Sequence, residues 1–313
     1  MTRFDLVAMG RVGVDLYPEQ SGVPLAEVSS FSKFLGGTAT NVAVASARYG
    51  HHCALVTKVG DDGFGEFVRT ALDGFGVDTG FVGTDPELRT PLVFCELHPP
   101  DHFPLLFYRE PKAPDMNLAI EDLDLEAVAA ARILWTTGTG LSDEPSRTAT
   151  LGALAARTGS GATIHDLDYR PMFWQDPTEA GRWQREALAH VDVAIGNIEE
   201  CAVAVGEGTP AEMAGRIGEL GVDVIVVKQG PEGVTAFTPD GEVSAAPVPI
   251  EVVNGLGAGD AFGGAVCHGL LEGWDWGEIV MFANAAGAYV AGQLACADAM
   301  PDETQVRELM TRV

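Results

Sequence analysis

Val253-Asn254-Gly255-Leu256-Gly257-Ala258-Gly259-Asp260-Ala261-Phe262-Gly263-Gly264 stands in the last fifth of a 313-residue chain. Glycines alternate, an aspartate follows at once, and small residues continue at helical spacing. Glycine lets a backbone approach a ligand closely and adopt conformations closed to other residues. A helix that starts here offers free N–H groups and the positive end of its dipole to an anion. Asp260 on the first turn would repel that anion, so its presence needs a reason. Taking a proton from a hydroxyl that attacks a phosphoryl group is one. An acid stabilised by the helix dipole is the plainer one.

Around this stretch the chain alternates apolar strands with helices. Strands are expected over residues 4–10, 53–59, 133–137, 162–167, 193–196, 224–228, 234–238 and 241–247. Helices are expected from Gly36-Gly37 to about Gly50, then over 64–75, 125–131, 146–158, 178–190, 199–205 and 211–220. Helices 260–272 and 276–294 close the chain. Near-continuous apolar strands between helices imply an α/β fold, a mostly parallel sheet covered on both faces. Two extended pairs, within about 12–35 and 90–109, do not fit that sheet and are expected to form a small β-sheet lid over the ligand crevice; the second turns at Pro99-Pro100. Residues 1–313 read as a single domain.

The formal net charge is -26, from 19 basic and 45 acidic residues. Nucleic acid and anionic membrane surfaces both need a basic face, so neither is an expected partner. The five cysteines, Cys53, Cys95, Cys201, Cys267 and Cys296, are scattered without a close pair, against a disulfide framework or a cysteine zinc site. Residues 1–10 lack the regions of a signal peptide, and no apolar run is long enough to span a bilayer. A cytoplasmic protein is the expectation. No Gly-Lys-Ser or Gly-Lys-Thr occurs, and Gly138-Thr139-Gly140 lacks the third glycine of a dinucleotide fingerprint.

Several stretches resemble one family. Gly36-Gly37-Thr38-Ala39-Thr40-Asn41-Val42-Ala43 and Gly257-Ala258-Gly259-Asp260 are similar to the two signatures of ribokinase-like (PfkB) carbohydrate kinases. Val59-Gly60-Asp61-Asp62-Gly63-Phe64-Gly65, Gly76-Val77-Asp78-Thr79, Asn197-Ile198-Glu199-Glu200 and Lys228-Gln229-Gly230-Pro231-Glu232-Gly233 stand in the order that the family has similar text. The resemblance covers nearly the whole chain and implies a ribokinase-like sheet. Gly10-Arg11-Val12-Gly13-Val14-Asp15-Leu16-Tyr17 and His165-Asp166-Leu167-Asp168-Tyr169-Arg170-Pro171 resemble the 5-dehydro-2-deoxygluconokinases of inositol breakdown. The 2-keto-3-deoxygluconate kinases usually carry Asn where this chain has Asp168.

The resemblance assigns roles, each beside a plainer reading. Asp260 would be the general base, with the N–H groups of Gly257, Ala258, Gly259 and Asp260 as the anion hole. Asp15 would accept hydrogen bonds from sugar hydroxyls, or is a solvated strand-end acid. Gly36, Gly37 and Asn41 would lie against the sugar, or merely start a helix. Arg109 and Arg170 would hold a sugar carboxylate bidentately, or are surface cations. Asn197 and Glu200 would hold hydrated Mg²⁺ and nucleotide, Glu200 through water, or form a capping box. Lys228, Gly230 and Gly233 would wall the nucleotide pocket, or form a strand end and turn. Asn284 would touch adenine, or is a polar helix residue.

The family often has Asp-Thr where this chain has Asn254-Gly255, which leaves potassium activation doubtful. The resulting expectation is ATP- and Mg²⁺-dependent phosphorylation of a sugar acid at a primary hydroxyl, O6 of 5-dehydro-2-deoxy-D-gluconate. A 2-keto-3-deoxygluconate kinase is the alternative, a fructokinase or ribokinase a more distant one. A sugar-binding regulator without catalysis belongs to another class. Exposed lid edges would invite a homodimer.

Overall fold

Apolar, β-branched runs set the frame. In the computed structural model, which describes residues 4–99, 102–157, 159 and 161–312, they become strands of one large sheet. Its strands are β1 (Leu6–Met9), β4 (Cys53–Gly60), β5 (Val77–Asp78), β6 (Val82–Asp85), β9 (Ile133–Thr137), β10 (Ala162–Asp166), β11 (Val193–Asn197), β12 (Val224–Lys228), β13 (Val234–Thr238) and β14 (Gly241–Ala245). A second sheet holds β2 (Gly13–Pro18), β3 (Phe31–Gly36), β7 (Leu92–Cys95) and β8 (Leu105–Tyr108).

The large sheet runs β14-β13-β12-β11-β10-β9-β1-β4-β5, with β6 also on β4. Every pair from β12 to β5 is parallel, whereas β12–β13 and β13–β14 are antiparallel. Alternate residues of a strand face opposite sides. Leu6 and Ala8 therefore pack with the helices Thr38–Arg48, Ala258–Glu272 and Trp276–Ala291, while Val7 and Met9 pack with Ser146–Ala155, Pro177–Leu188 and Pro210–Gly218. Both faces are covered, as parallel sheets require.

The second sheet has the order β3-β2-β7-β8, with β2–β7 parallel and the outer pairs antiparallel. Tyr17, Val93, Cys95 and Leu97 form its inner layer, packed on Cys296 and Leu256 beside the start of the helix Ala258–Glu272. The small sheet thus roofs the C-terminal ends of the large one.

Three elements depart from the sequence expectation. β5 and β6 were not anticipated, being too short to show a period. The chain closes with a third helix, Glu303–Met310, not with two. Asp302 and Gln305 cap that helix reciprocally, and Val306 is its one buried residue, so it has little apolar pattern to read. Pro100 and Thr158, expected in a turn and at a helix end, lie outside the described residues. All five cysteines are free and buried. No helix among the described residues is long and apolar enough to cross a membrane.

Candidate active site

Two strand ends, one strand interior and one helix start converge beneath the roof. β2 carries Asp15 inward, β1 delivers Arg11 past its end, β3 ends at Gly36, and the loop before Ala258–Glu272 brings Gly257. Gly37 begins the helix Thr38–Arg48 at φ 106°, and a Cβ there would drive into the backbone carbonyl of Arg11. Only glycine lets these two segments touch. Gly257 is left-handed at φ 79°, and a Cβ there would stand 2.8 Å from Cys296 Sγ.

A cavity of about 70 Å³, open to solvent, lies between them. Of the residues singled out from sequence, Asp15, Gly37, Asn41, Arg109, Arg170, Gly257 and Asp260 line it. Gly36 backs onto the Asp15 carboxylate, where a Cβ would collide. Asn41 Nδ2 donates to Asp260 Oδ2 at 2.6 Å, while Asn41 Oδ1 is buried without a partner.

The two arginines do not stand free. Arg109 pairs with buried Asp115, whose other oxygen accepts from Val12 N at 3.0 Å. Arg170 lies 3.2 Å from Asp168 and 3.6 Å from Glu200. A third arginine, not singled out from sequence, joins them. Arg11 is 6% exposed, lies 3.1 Å from Asp168 Oδ2, and donates to Thr139 Oγ1 and Thr38 Oγ1. Asp168 therefore joins two guanidinium groups. Strand C-terminal ends in a parallel sheet gather at the ligand crevice. That rule, applied to Gly10-Arg11 just past β1, would have found Arg11. Thr139, just past β9, falls under the same rule, whereas Asp115 and Cys296 carried no such signal.

Charge in this enclosure is shifted. Burial raises Asp15 to about 7, opposed by Arg11 and Tyr17 and aided by Asp260. Burial raises Asp260 to about 6, against the Asn41 hydrogen bond. Burial also raises Asp166, at the end of β10, to about 7, with Lys228 opposing and Glu200, Asp168 and Asp260 adding. Asp168 moves the other way, since Arg11 and Arg170 outweigh its burial.

The remaining candidates lie along the edge that runs from the cavity to β13. Lys228 ends β12, and its Nζ would be 3.4 Å from a Cβ on Gly259, at the start of the helix that Ala258 opens. Burial lowers the Lys228 pKa, but Asp166, Glu200 and Asp260 together hold it above its ordinary value. Gly230 and Gly233 bracket the turn into β13. Asn284 donates to Ala246 O at 2.6 Å. Asn197 and Glu200 form the capping box: Asn197 Oδ1 accepts from Glu200 N and Glu200 Oε2 from Asn197 N. Asn254, fully buried, donates to Leu294 O and accepts from Leu256 N.

A roofed crevice at parallel strand ends, with a helix start facing a carboxylate, defines a class: an α/β enzyme for a small polar substrate. Residues 3–303 match the family model for the pfkB family carbohydrate kinase. The chain belongs to the pfkB family of carbohydrate kinases, and is a sugar kinase. It is 32% identical to the 5-dehydro-2-deoxygluconokinase of Clostridium perfringens, over 99% of this chain and 94% of that one. It is 34% identical to the enzyme of the same name from Photobacterium profundum, over 95% and 92%. Among solved structures, a double mutant of a fructokinase from Vibrio cholerae, bound to fructose, ADP and potassium ion, superposes with a TM-score of 0.85 at 25% identity, covering 99% of each chain.

Proposed function

We propose that this kinase transfers the γ-phosphoryl group of ATP to O6 of 5-dehydro-2-deoxy-D-gluconate. The observation that carries the substrate class is the meeting of Arg11, Arg109 and Arg170 in one cavity with Asp15 and Asp260. Arginine matches a carboxylate in geometry and charge, and a neutral sugar has no need of three. The names of the relatives supply the particular acid.

The reaction needs a hydroxyl held still, its proton removed, and new negative charge stabilised. Asp15 would accept from two sugar hydroxyls, and the unpartnered Asn41 Oδ1 from a third. Gly36 and Gly37 bring the backbone against the sugar. The arginines would hold the carboxylate. Asp260, ionised, would take the proton from O6–H, while Asn41 Nδ2 fixes the orientation of its carboxylate. The N–H groups of Ala258, Gly259 and Asp260 would receive the transferred phosphoryl oxygens, with Lys228 beside Gly259 adding a cation.

ATP would lie along the Lys228, Gly230, Gly233 and Asn284 edge, past Asn197. Asp166 and Glu200 are clustered carboxylates that fit a hydrated Mg²⁺ held through water. Bound there, Mg²⁺ would neutralise phosphate charge. The roof would exclude water and suppress ATP hydrolysis. The protein would work in the cytoplasm, as free, buried cysteines suit a reducing compartment. A homodimer would form across the roof, where Leu106 and Tyr108 of β8 are 48% and 59% exposed.

ADP release measured over 5-dehydro-2-deoxygluconate, 2-keto-3-deoxygluconate, fructose and ribose tests the reading. The first should give the highest kcat/KM. High activity on the neutral sugars with none on the acids would overturn it.

A further inference from the structure

At the end of the helix Ala258–Glu272 remote from the cavity, His51, His268 and Glu272 each offer one ligand atom, all within 4.8 Å of one another. Among the described residues no other group of three His, Cys, Asp or Glu side chains meets that spacing. His268 and Glu272 stand one turn apart at the end of the helix Ala258–Glu272, on one face. His51 comes from the short link between the helix Thr38–Arg48 and β4. We propose that these three side chains form a transition-metal site, for zinc or a similar divalent ion, that ties that link to the helix.

The proton pattern supports it. His51 Nε2 and His268 Nδ1 are 2.8 Å apart, so one proton lies between them. His268 Nε2 is buried with no hydrogen-bond partner, and Glu303 Oε2 is 3.7 Å away. Protonated there, His268 aims its Nε2–H at a carboxylate, the orienting partner that metal-bound imidazoles take, and leaves Nδ1 as a lone pair. Arg307 donates to Glu303 at 2.7 Å and holds that carboxylate in turn. The His268 ring is fixed further by stacking on Tyr49 at 4.6 Å and by the edge of Trp274 at 4.9 Å.

A tetrahedral zinc site with bonds of about 2.0–2.1 Å separates its ligands by about 3.3 Å. The two nitrogens would therefore part by about 0.5 Å, and exposed Glu272 would swing inward. The shared proton would pass to His51 Nδ1, so both rings stay neutral and both face the ion. Water completes the shell. The predicted role is to tie the link to the helix and not to act on the sugar, because Asp260 lies about two turns from His268 and three from Glu272 on the same helix.

The full chain, stripped with EDTA and free of ATP and Mg²⁺, is titrated with Zn²⁺ by calorimetry and with Cu²⁺ by tryptophan fluorescence. One Zn²⁺ per chain is expected, with Tm higher by about 5 °C at a hundredfold excess over Kd. Cu²⁺ should quench Trp274, and Trp274→Phe should abolish the quench while keeping the stoichiometry. His51→Ala and Glu272→Ala, both at the rim, should each weaken Zn²⁺ by more than the ~10- to 100-fold that loss of an outer partner of a ligand costs, and leave sugar-kinase turnover unchanged. Zn²⁺ affinity that both variants retain, or no Zn²⁺ bound by the wild type, would overturn the site.

Discussion

Replacing Asp260 by Asn should have two effects of opposite sign. Position 260 would lose its capacity to accept a proton, and a positioned general base contributes ~10²- to 10⁴-fold to turnover. The amide oxygen can still accept from Asn41 Nδ2, so the geometry should survive and KM should barely move. Stability should rise. Asp260 is held at about 6 in the fold, against an ordinary 3.8. Ionising it there costs about 3 kcal/mol more than in the unfolded chain. The sign follows from the raised value: the stabilisation is present below 3.8 and is lost as pH rises through about 6. Wild type therefore weakens across that window while Asp260→Asn does not. At pH 8 the variant should melt about 5 °C higher, and near pH 4 the two curves should converge. Scanning fluorimetry at both pH values, with coupled ADP release, reads both effects. Wild-type kcat/KM should also climb as pH rises through about 6. Turnover of Asp260→Asn within tenfold of wild type would refute its role as base. A variant that melts lower than wild type at pH 8 would refute the burial penalty.

Asp168→Asn should destabilise by about 3–5 kcal/mol at pH 7 in urea melts, because Arg11 and Arg170 would lose the carboxylate they share. Its folded pKa is depressed, so in the wild type that stability should be lost as pH falls below 3.8. Gly37→Ala should cost about 2–4 kcal/mol in the same assay, since φ 106° and the Arg11 carbonyl both exclude a Cβ. Potassium chloride and tetramethylammonium chloride at equal ionic strength should give the same kcat. Asn254 is neutral, and its amide is already committed to Leu294 O and Leu256 N; strong potassium activation would contradict this.

For residues 133–137, 224–228 and 234–238 the sequence predicts strands with the bounds the structure gives. Each is an apolar run rich in β-branched or aromatic residues, so the local signal and the sheet agree. β5 has two residues and no period, and exists because β4 offers it an edge. The Gly257-Ala258-Gly259-Asp260 helix start was legible for a related reason: glycine freedom, free N–H groups and a first-turn acid are local facts. The arginine network was not. Arg11 meets Thr139 and Asp168 across 128 and 157 residues of chain, and Arg109 turns back to Asp115 only because the strand ends there. Asn197 and Glu200 carried two readings in sequence, and a capping box looks the same whether or not a ligand lies beyond it.

The charge count inside the cavity bears on the substrate more than the charge of the whole chain does. Against a net charge of -26, three of 19 basic residues are gathered here. Asp115 pairs with Arg109, Asp168 stands between Arg11 and Arg170, and Glu200 also faces Arg170 at 3.6 Å. Near neutrality Asp260, held at about 6, is mostly ionised, and Asp15, held at about 7, is partly so. Each guanidinium therefore has a carboxylate partner before any ligand arrives. A sugar acid would compete for those partners, drawing Asp168 toward one arginine and leaving Glu200 or the ligand carboxylate to the other. Affinity for a bare carboxylic acid of matching length, without any hydroxyl for Asp260, should thus exceed affinity for the corresponding polyol in equilibrium binding. Equal affinities would mean that the three arginines serve the fold and not the ligand.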